Sequence, residues 1–159
     1  MKIEPYMVPD KYRDWNISKE EWPITIELKH VARWESDEII QLYKAGSWWK
    51  EEYDASGIVP MMEGSFDFVV AYDDIGRRAV GMGRMISDGA SDGYIQDVVV
   101  LPEYRGKGIG SSIISELVRN GKEKGLVWMG LIAEKGTSSF YERLGFHLFD
   151  GTPMIHGER

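Results

Sequence analysis

The sequence predicts a single α/β domain, of the α+β kind, on a mixed, mostly antiparallel sheet with one central parallel strand pair flanked by helices. Three observations predict it. Short runs over residues 24–28, 66–72 and 79–86 are rich in β-branched and alternating apolar residues, as strands are. The segment 94–100 ends in the continuous apolar run Val98-Val99-Val100, as expected of a strand covered on both faces. After it, Ile109, Ile113, Ile114, Leu117 and Val118 recur at helical spacing before another apolar run at 127–133. A helix joining two strands makes that pair parallel.

The elements follow in order. Residues 1–23, with prolines and mixed charges, are expected to form an N-terminal extension, and 24–159 a single domain. After the strand at 24–28, Ser36 begins a helix through Glu38, Ile39, Ile40, Leu42 and Tyr43. Residues 46–64 are too irregular for one amphipathic element and are expected to hold a short helix and a loop. The strands at 66–72 and 79–86 form a hairpin about the turn 73–76, and the polar loop 88–93 leads to the strand 94–100. Gly121 and Gly125 stop the long helix, and a strand at 127–133, a helix at 137–144 and a terminal strand at 146–149 complete the chain.

Length and composition narrow the function. A chain of 159 residues that is 43% hydrophobic suffices for one core. No apolar run approaches the roughly 18 residues of a membrane span, and the first residues are too polar for a signal peptide. A cytoplasmic protein without a membrane partner is expected. The absence of cysteine excludes disulfides, thiolate metal sites and a covalent acyl-cysteine step, and no metal is expected. A net charge of −7 argues against nucleic-acid binding and suits either an amine substrate or plain solubility.

The chemistry concentrates in Leu101-Pro102-Glu103-Tyr104-Arg105-Gly106-Lys107-Gly108-Ile109-Gly110. Glycines alternating just before a helix leave backbone amides unobstructed, and the first-turn N–H groups and the helix dipole favour an anion there. By itself the cluster fits a tight strand-to-helix turn better than a phosphate site. It fits neither the P-loop, since Lys107 is followed by glycine and isoleucine, nor the dinucleotide fingerprint, since Ser111 stands where the third glycine belongs.

Arg105, Gly108 and Gly110 do match the Gln/Arg-x-x-Gly-x-Gly/Ala motif of the Gcn5-related N-acetyltransferase (GNAT) family, which the sequence resembles from about residue 81 to 149. Ser139-Phe140-Tyr141-Glu142-Arg143-Leu144-Gly145-Phe146 is similar to that family's FYxxxGF segment. The resemblance implies the acyl-CoA N-acyltransferase fold, with the parallel strands splayed, and acetyl-CoA as co-substrate. It implies that a bulged strand at Val98, Val99 and Val100 takes the pantetheine arm, with backbone groups of Val98 and Val100. The pyrophosphate would sit on the amides of Arg105, Gly106, Lys107, Gly108, Ile109 and Gly110, with Ser111 close by. Lys107 would contact a phosphate or stay solvated.

Acetyl transfer to an amine needs a neutral nucleophile, a stabilised oxyanion and a proton for the leaving sulfur. By the resemblance, Tyr141 lies near that sulfur as general acid, and a backbone N–H near Val98 serves the oxyanion. Asp97 is the expected base, direct or through water, while the neighbouring Gln96 replaces a glutamate of polyamine-acetylating members. Glu134 stands where many relatives have a coenzyme-contacting asparagine, and is expected to be exposed. His30, His147 and His156 are expected to be isolated. Trp48, Trp49, Tyr53 and Met62 would wall the entry of the amine acceptor. They would serve equally as core or as the contact of a homodimer. Two alternatives are a non-catalytic acyl-CoA-binding module and a transferase of longer acyl chains, which a methionine-rich pocket would suit.

Overall fold

Strands β1 (Ile26–His30), β2 (Asp67–Asp73), β3 (Arg78–Ile86), β4 (Asp92–Val100) and β5 (Trp128–Gly130) form one sheet in that order. All neighbours are antiparallel except β4 and β5, which are parallel. Helices α1 (Ser36–Ala45), α2 (Ile58–Glu63), α3 (Ile109–Glu123) and α4 (Ser138–Glu142) complete the computed structural model, which describes residues 25–157. The expected extension over 1–23 lies outside the described residues.

Strand alternation divides the core in two. On β2, Phe68 and Val70 face α1 and α2 together with Ile39, Leu42, Ile58 and Met62. Val69 and Ala71, one residue out of phase, face α3 with Ile109, Ile113, Ile114 and Leu117. The sheet is therefore the middle of three layers, which is why β2 reads as a nearly unbroken apolar run. Each fully buried aliphatic side chain of α3 contributes up to about 1.5–3 kcal/mol by removal from water. At its start α1 is fixed to the sheet by Glu38, whose Oε2 accepts from Trp34 Nε1 at 2.6 Å and from the Ala79 N–H at 3.1 Å.

Two expectations change at the carboxyl end. The strand expected over 127–133 is only three residues long, and it pairs with β4 only from Asp92↔Trp128 to Tyr94↔Gly130. The run 146–149 forms no strand. So short a β5 offers little edge to template one, Asp150 and Gly151 follow at once, and the Phe149 ring packs edge-on against Trp128 at 5.9 Å. The parallel pair accordingly closes the described sheet at its edge.

His30, expected to be isolated, is in fact a buttress. Its Nδ1 donates to Asp67 Oδ1 at 2.7 Å and its Nε2 to Glu116 Oε1 at 2.8 Å, so the ring is an imidazolium joining β1, β2 and α3. Asn120 Nδ2 donates to the other Asp67 oxygen at 2.7 Å, and Arg119 pairs with Glu116. The hydrogen bond to Asp67 outweighs partial burial and, with Glu116, raises the His30 pKa to about 9.

Candidate active site

The site begins with a register shift. Arg84 faces Gln96 and Met82 faces Val99, so Gly83 alone stands opposite Asp97 and Val98. Asp97 takes up the extra residue with φ 56°, a left-handed conformation that costs about 1–3 kcal/mol and that aspartate tolerates better than most residues. The bulge resets alternation along β4: Ile95, Val98 and Val100 all pack toward α3, while Val99 faces α1. Gly83 is required opposite it, because a Cβ there would lie 2.7 Å from Ile113 Cγ2 and 3.2 Å from Val98 Cγ2. Since β5 leaves β4 after Tyr94, residues 95–100 have no strand partner on that side among the described residues.

The glycine turn follows. Gly106 and Gly108 have φ 75° and 78°, and a Cβ on either would meet nothing within 4 Å. Helix α3 has no side-chain cap, and the N–H groups of residues 106–111 have no acceptor among the described residues. Six consecutive free amides at the positive end of a 15-residue helix make a strong anion cradle. Ile109 lends only its backbone, since its side chain is buried. Arg105 clamps the turn from outside: its Nε donates to the Val100 carbonyl at 2.9 Å and its guanidinium reaches the Ala45 carbonyl at 3.2 Å. Lys107 lies over the Tyr104 ring, 5.3 Å from its centroid.

Tyr104 itself anchors the turn, a role no sequence pattern signals. Its buried hydroxyl donates to Asp73 Oδ2 at 2.7 Å, tying the turn to the β2–β3 loop. The Gly76 N–H and then this phenol hold the Asp73 carboxyl below the usual range.

On the α1 and α2 side of the sheet lies an open groove of about 460 Å³, lined by Tyr43, Trp48, Trp49, Glu52, Tyr53 and Met61 among others. Three of the four residues expected for the acceptor wall are here. The fourth, Met62, is 1% exposed and packs in the core on Ile39 and Leu42; its neighbour Met61 faces the groove instead. Adjacent residues on a helix point about 100° apart, so only one of the pair can face outward. Tyr43, which no motif signals, joins the groove to the bulge. Its hydroxyl donates to Asp97 Oδ2 at 2.7 Å, and the same oxygen takes Arg84 Nε at 2.6 Å. Burial first, then the Asp97 charge, raises the Tyr43 pKa and keeps it a donor. The amide oxygen of Gln96 is satisfied when turned toward the Arg84 guanidinium.

Tyr141, on α4, packs edge-on against Phe140 and Phe146. Its hydroxyl has no partner among the described residues, and burial, with a smaller effect of the Glu134 charge, raises its pKa. Glu134 is exposed and accepts from Trp48 Nε1 at 3.3 Å, bridging the groove loop to the segment after β5.

A family model described as an acetyltransferase (GNAT) domain matches residues 64–148, more than half of the chain. The chain belongs to the GNAT family. A GNAT-family acetyltransferase structure from Streptococcus pneumoniae is 30% identical, with a TM-score of 0.68, over 85% of this chain and 99% of that one. The chloroplastic GCN5-related N-acetyltransferase 2 of Arabidopsis thaliana is 37% identical over 70 residues, 44% of this GNAT chain and 27% of that protein. Glucosamine 6-phosphate N-acetyltransferase of Trypanosoma brucei brucei is 41% identical over 58 residues, 36% of this chain and 40% of that protein. The match thus spans less than half the length of the Arabidopsis and Trypanosoma relatives. The model match starts after the groove residues, so it covers the bulge, glycine turn and Tyr141 of this GNAT domain but not its groove.

Proposed function

We propose that this domain transfers the acetyl group of acetyl-CoA directly to an amine in a ternary complex. The observation that carries the reading is the run of six amides, 106–111, that have no acceptor among the described residues, following a stretch of β4 with no strand partner there on one side. The amides would hold the pyrophosphate, with Ser111 beside them, and the free side of residues 98–100 the pantetheine arm. The coenzyme supplies an acyl carbon activated as a thioester.

The protein's own groups account for the protons. Tyr141 stays protonated at neutral pH, because burial and the Glu134 charge both favour its neutral form, and its O–H gives a proton to the departing sulfur. Asp97 takes the proton that the amine loses, directly or through a water. Its Oδ2 is occupied by Arg84 and Tyr43, so Oδ1 is the oxygen for this task. The ion pair fixes the carboxylate's orientation at the bulge.

A thiol-release assay with acetyl-CoA against a panel of amines, run beside a thermal-shift measurement of coenzyme binding, tests this. Turnover with at least one amine is expected. Coenzyme binding without turnover on any acceptor would make the domain an acyl-CoA-binding module, and no shift at millimolar acetyl-CoA would end the coenzyme reading.

A further inference from the structure

The groove is electrically uneven between its half-buried inner residues and its exposed outer ones. At its inner end Tyr43 meets Asp97, whose charge is matched by Arg84; their side chains are only 22% and 15% exposed, and Gln96 beside them is uncharged. That end is neutral overall. At the outer end stand Glu52 and Asp54, both exposed. Asp54 accepts from the Ser56 N–H at 2.9 Å and the Ser56 hydroxyl at 2.5 Å, which hold its carboxyl below the usual range. Glu52 has no cationic partner among the described residues. Of the nearby lysines, Lys44 pairs with Glu51 at 3.0 Å, while Lys50, 5.8 Å from the Tyr53 ring centroid, keeps its charge and is outnumbered by the carboxylates of Glu52 and Asp54. Trp48, Trp49 and Tyr53 line the same groove, and no lysine or arginine is among its lining residues.

We infer that the groove selects a small amine with a second positive charge at its far end, an aliphatic dication, and disfavours phosphorylated amines. The inference rests on the acetyl-transfer reading. The nitrogen that attacks must be neutral, and the compensated inner end does not hold the ammonium form. The excess carboxylate charge of Glu52 and Asp54 and the aromatic faces instead hold the charge that does not react. The second charge also lowers the proton affinity of the first amine by like-charge repulsion, which helps to present it neutral. A phosphate at the outer end would face two carboxylates with no cation among the groove's lining residues. The likeness to a glucosamine 6-phosphate enzyme therefore does not extend to the acceptor.

The test compares pentylamine, 1,5-diaminopentane and glucosamine 6-phosphate, on the full chain and on a Glu52→Gln/Asp54→Asn variant. Thiol release gives kcat/KM, and tryptophan fluorescence with coenzyme A present gives acceptor affinity. The diamine should exceed pentylamine by about three- to thirtyfold, the scale of an exposed ion pair plus a cation–π contact. Glucosamine 6-phosphate should be the poorest, and the diamine to pentylamine ratio should fall with added salt and approach unity in the variant. Tighter diamine binding without thiol release would uphold the inference and defeat the transfer reading. Equal affinities for the two amines, a preference for the phosphorylated sugar, or an unchanged ratio in the variant would overturn the inference.

Discussion

Between residues 98 and 111 the site is made almost wholly of backbone, whereas between Tyr43 and Met61 it is made of side chains. The first region presents amides of a turn whose two left-handed glycines face open space, and its side chains mostly point away into structural work: Arg105 to carbonyls, Ile109 to the core. The second presents aromatic rings and carboxylates on the end of α1, a loop and a six-residue helix. A backbone site tolerates few sequences because glycine and register are hard requirements. A side-chain site keeps its shape while its chemistry changes, so relatives can share the first region and differ in the second.

The largest effect expected is at Gly108. Gly108→Glu places a negative charge among the free amides and forces a side chain into φ 78°, and acetyl-CoA affinity should fall by two orders of magnitude or more, as read by titration calorimetry. Gly108→Ala carries only the backbone strain, about 1–2 kcal/mol, and should lose much less affinity. A Cβ at this position would meet nothing within 4 Å, so the cost is backbone strain and not a clash, and a thermal melt should show both proteins folded. Wild-type affinity in Gly108→Glu would remove the pyrophosphate from this turn. Next in size, Tyr141→Phe should lower kcat by about ten- to a hundredfold while leaving coenzyme affinity intact. That is the low end of acid catalysis, because a thiolate leaves readily unaided. Unchanged turnover, with chemistry rate-limiting, would reduce Tyr141 to its packing on Phe140 and Phe146.

The same contrast explains what the sequence made legible. The strand 94–100, the helix from Ile109 and the glycine turn all announce themselves, because backbone demands translate directly into glycines and periodic apolar residues. Three features do not. The choice between Met61 and Met62 depends on the rotation of a six-residue helix, too short to display a period. Tyr43 is one more aromatic on α1 until the bulge brings Asp97, 54 residues away, against its hydroxyl. The partners of His30 are 37 and 86 residues distant, a pairing that only the closed sheet with α3 across it creates. The residue types themselves were visible throughout; their neighbours were not.

The methionine pair offers a direct test of core against wall. Met62→Ala should cost about 2–5 kcal/mol, measured by denaturant unfolding, because it empties a fully buried volume. Met61→Ala should cost clearly less stability than Met62→Ala and raise the KM for the amine, since Met61 is only partly buried and lines the groove. Equal destabilisation by the two changes would mean that the loop packs differently from what its geometry implies.

The smallest effect lies in the scaffold beneath both regions. His30 has a pKa of about 9 in the folded protein against 6.5 unfolded, because Asp67 and Glu116 hold its protonated form. Its contribution to stability is therefore complete below pH 6.5, declines as the pH rises toward 9 and is gone above it. The side chain is 37% exposed, so water screens the charges and the contribution should be about 1 kcal/mol, well under the full linkage value. His30→Gln keeps a polar side chain but has no proton to lose in this range. Wild type should therefore melt above the variant at pH 6, and the two curves should converge near pH 9. Coenzyme affinity at pH 7 should be the same in both, since the His30 cluster makes no contact with the glycine turn. Curves that stay parallel from pH 6 to 10 would show that the imidazolium does not hold β1 and β2 to α3.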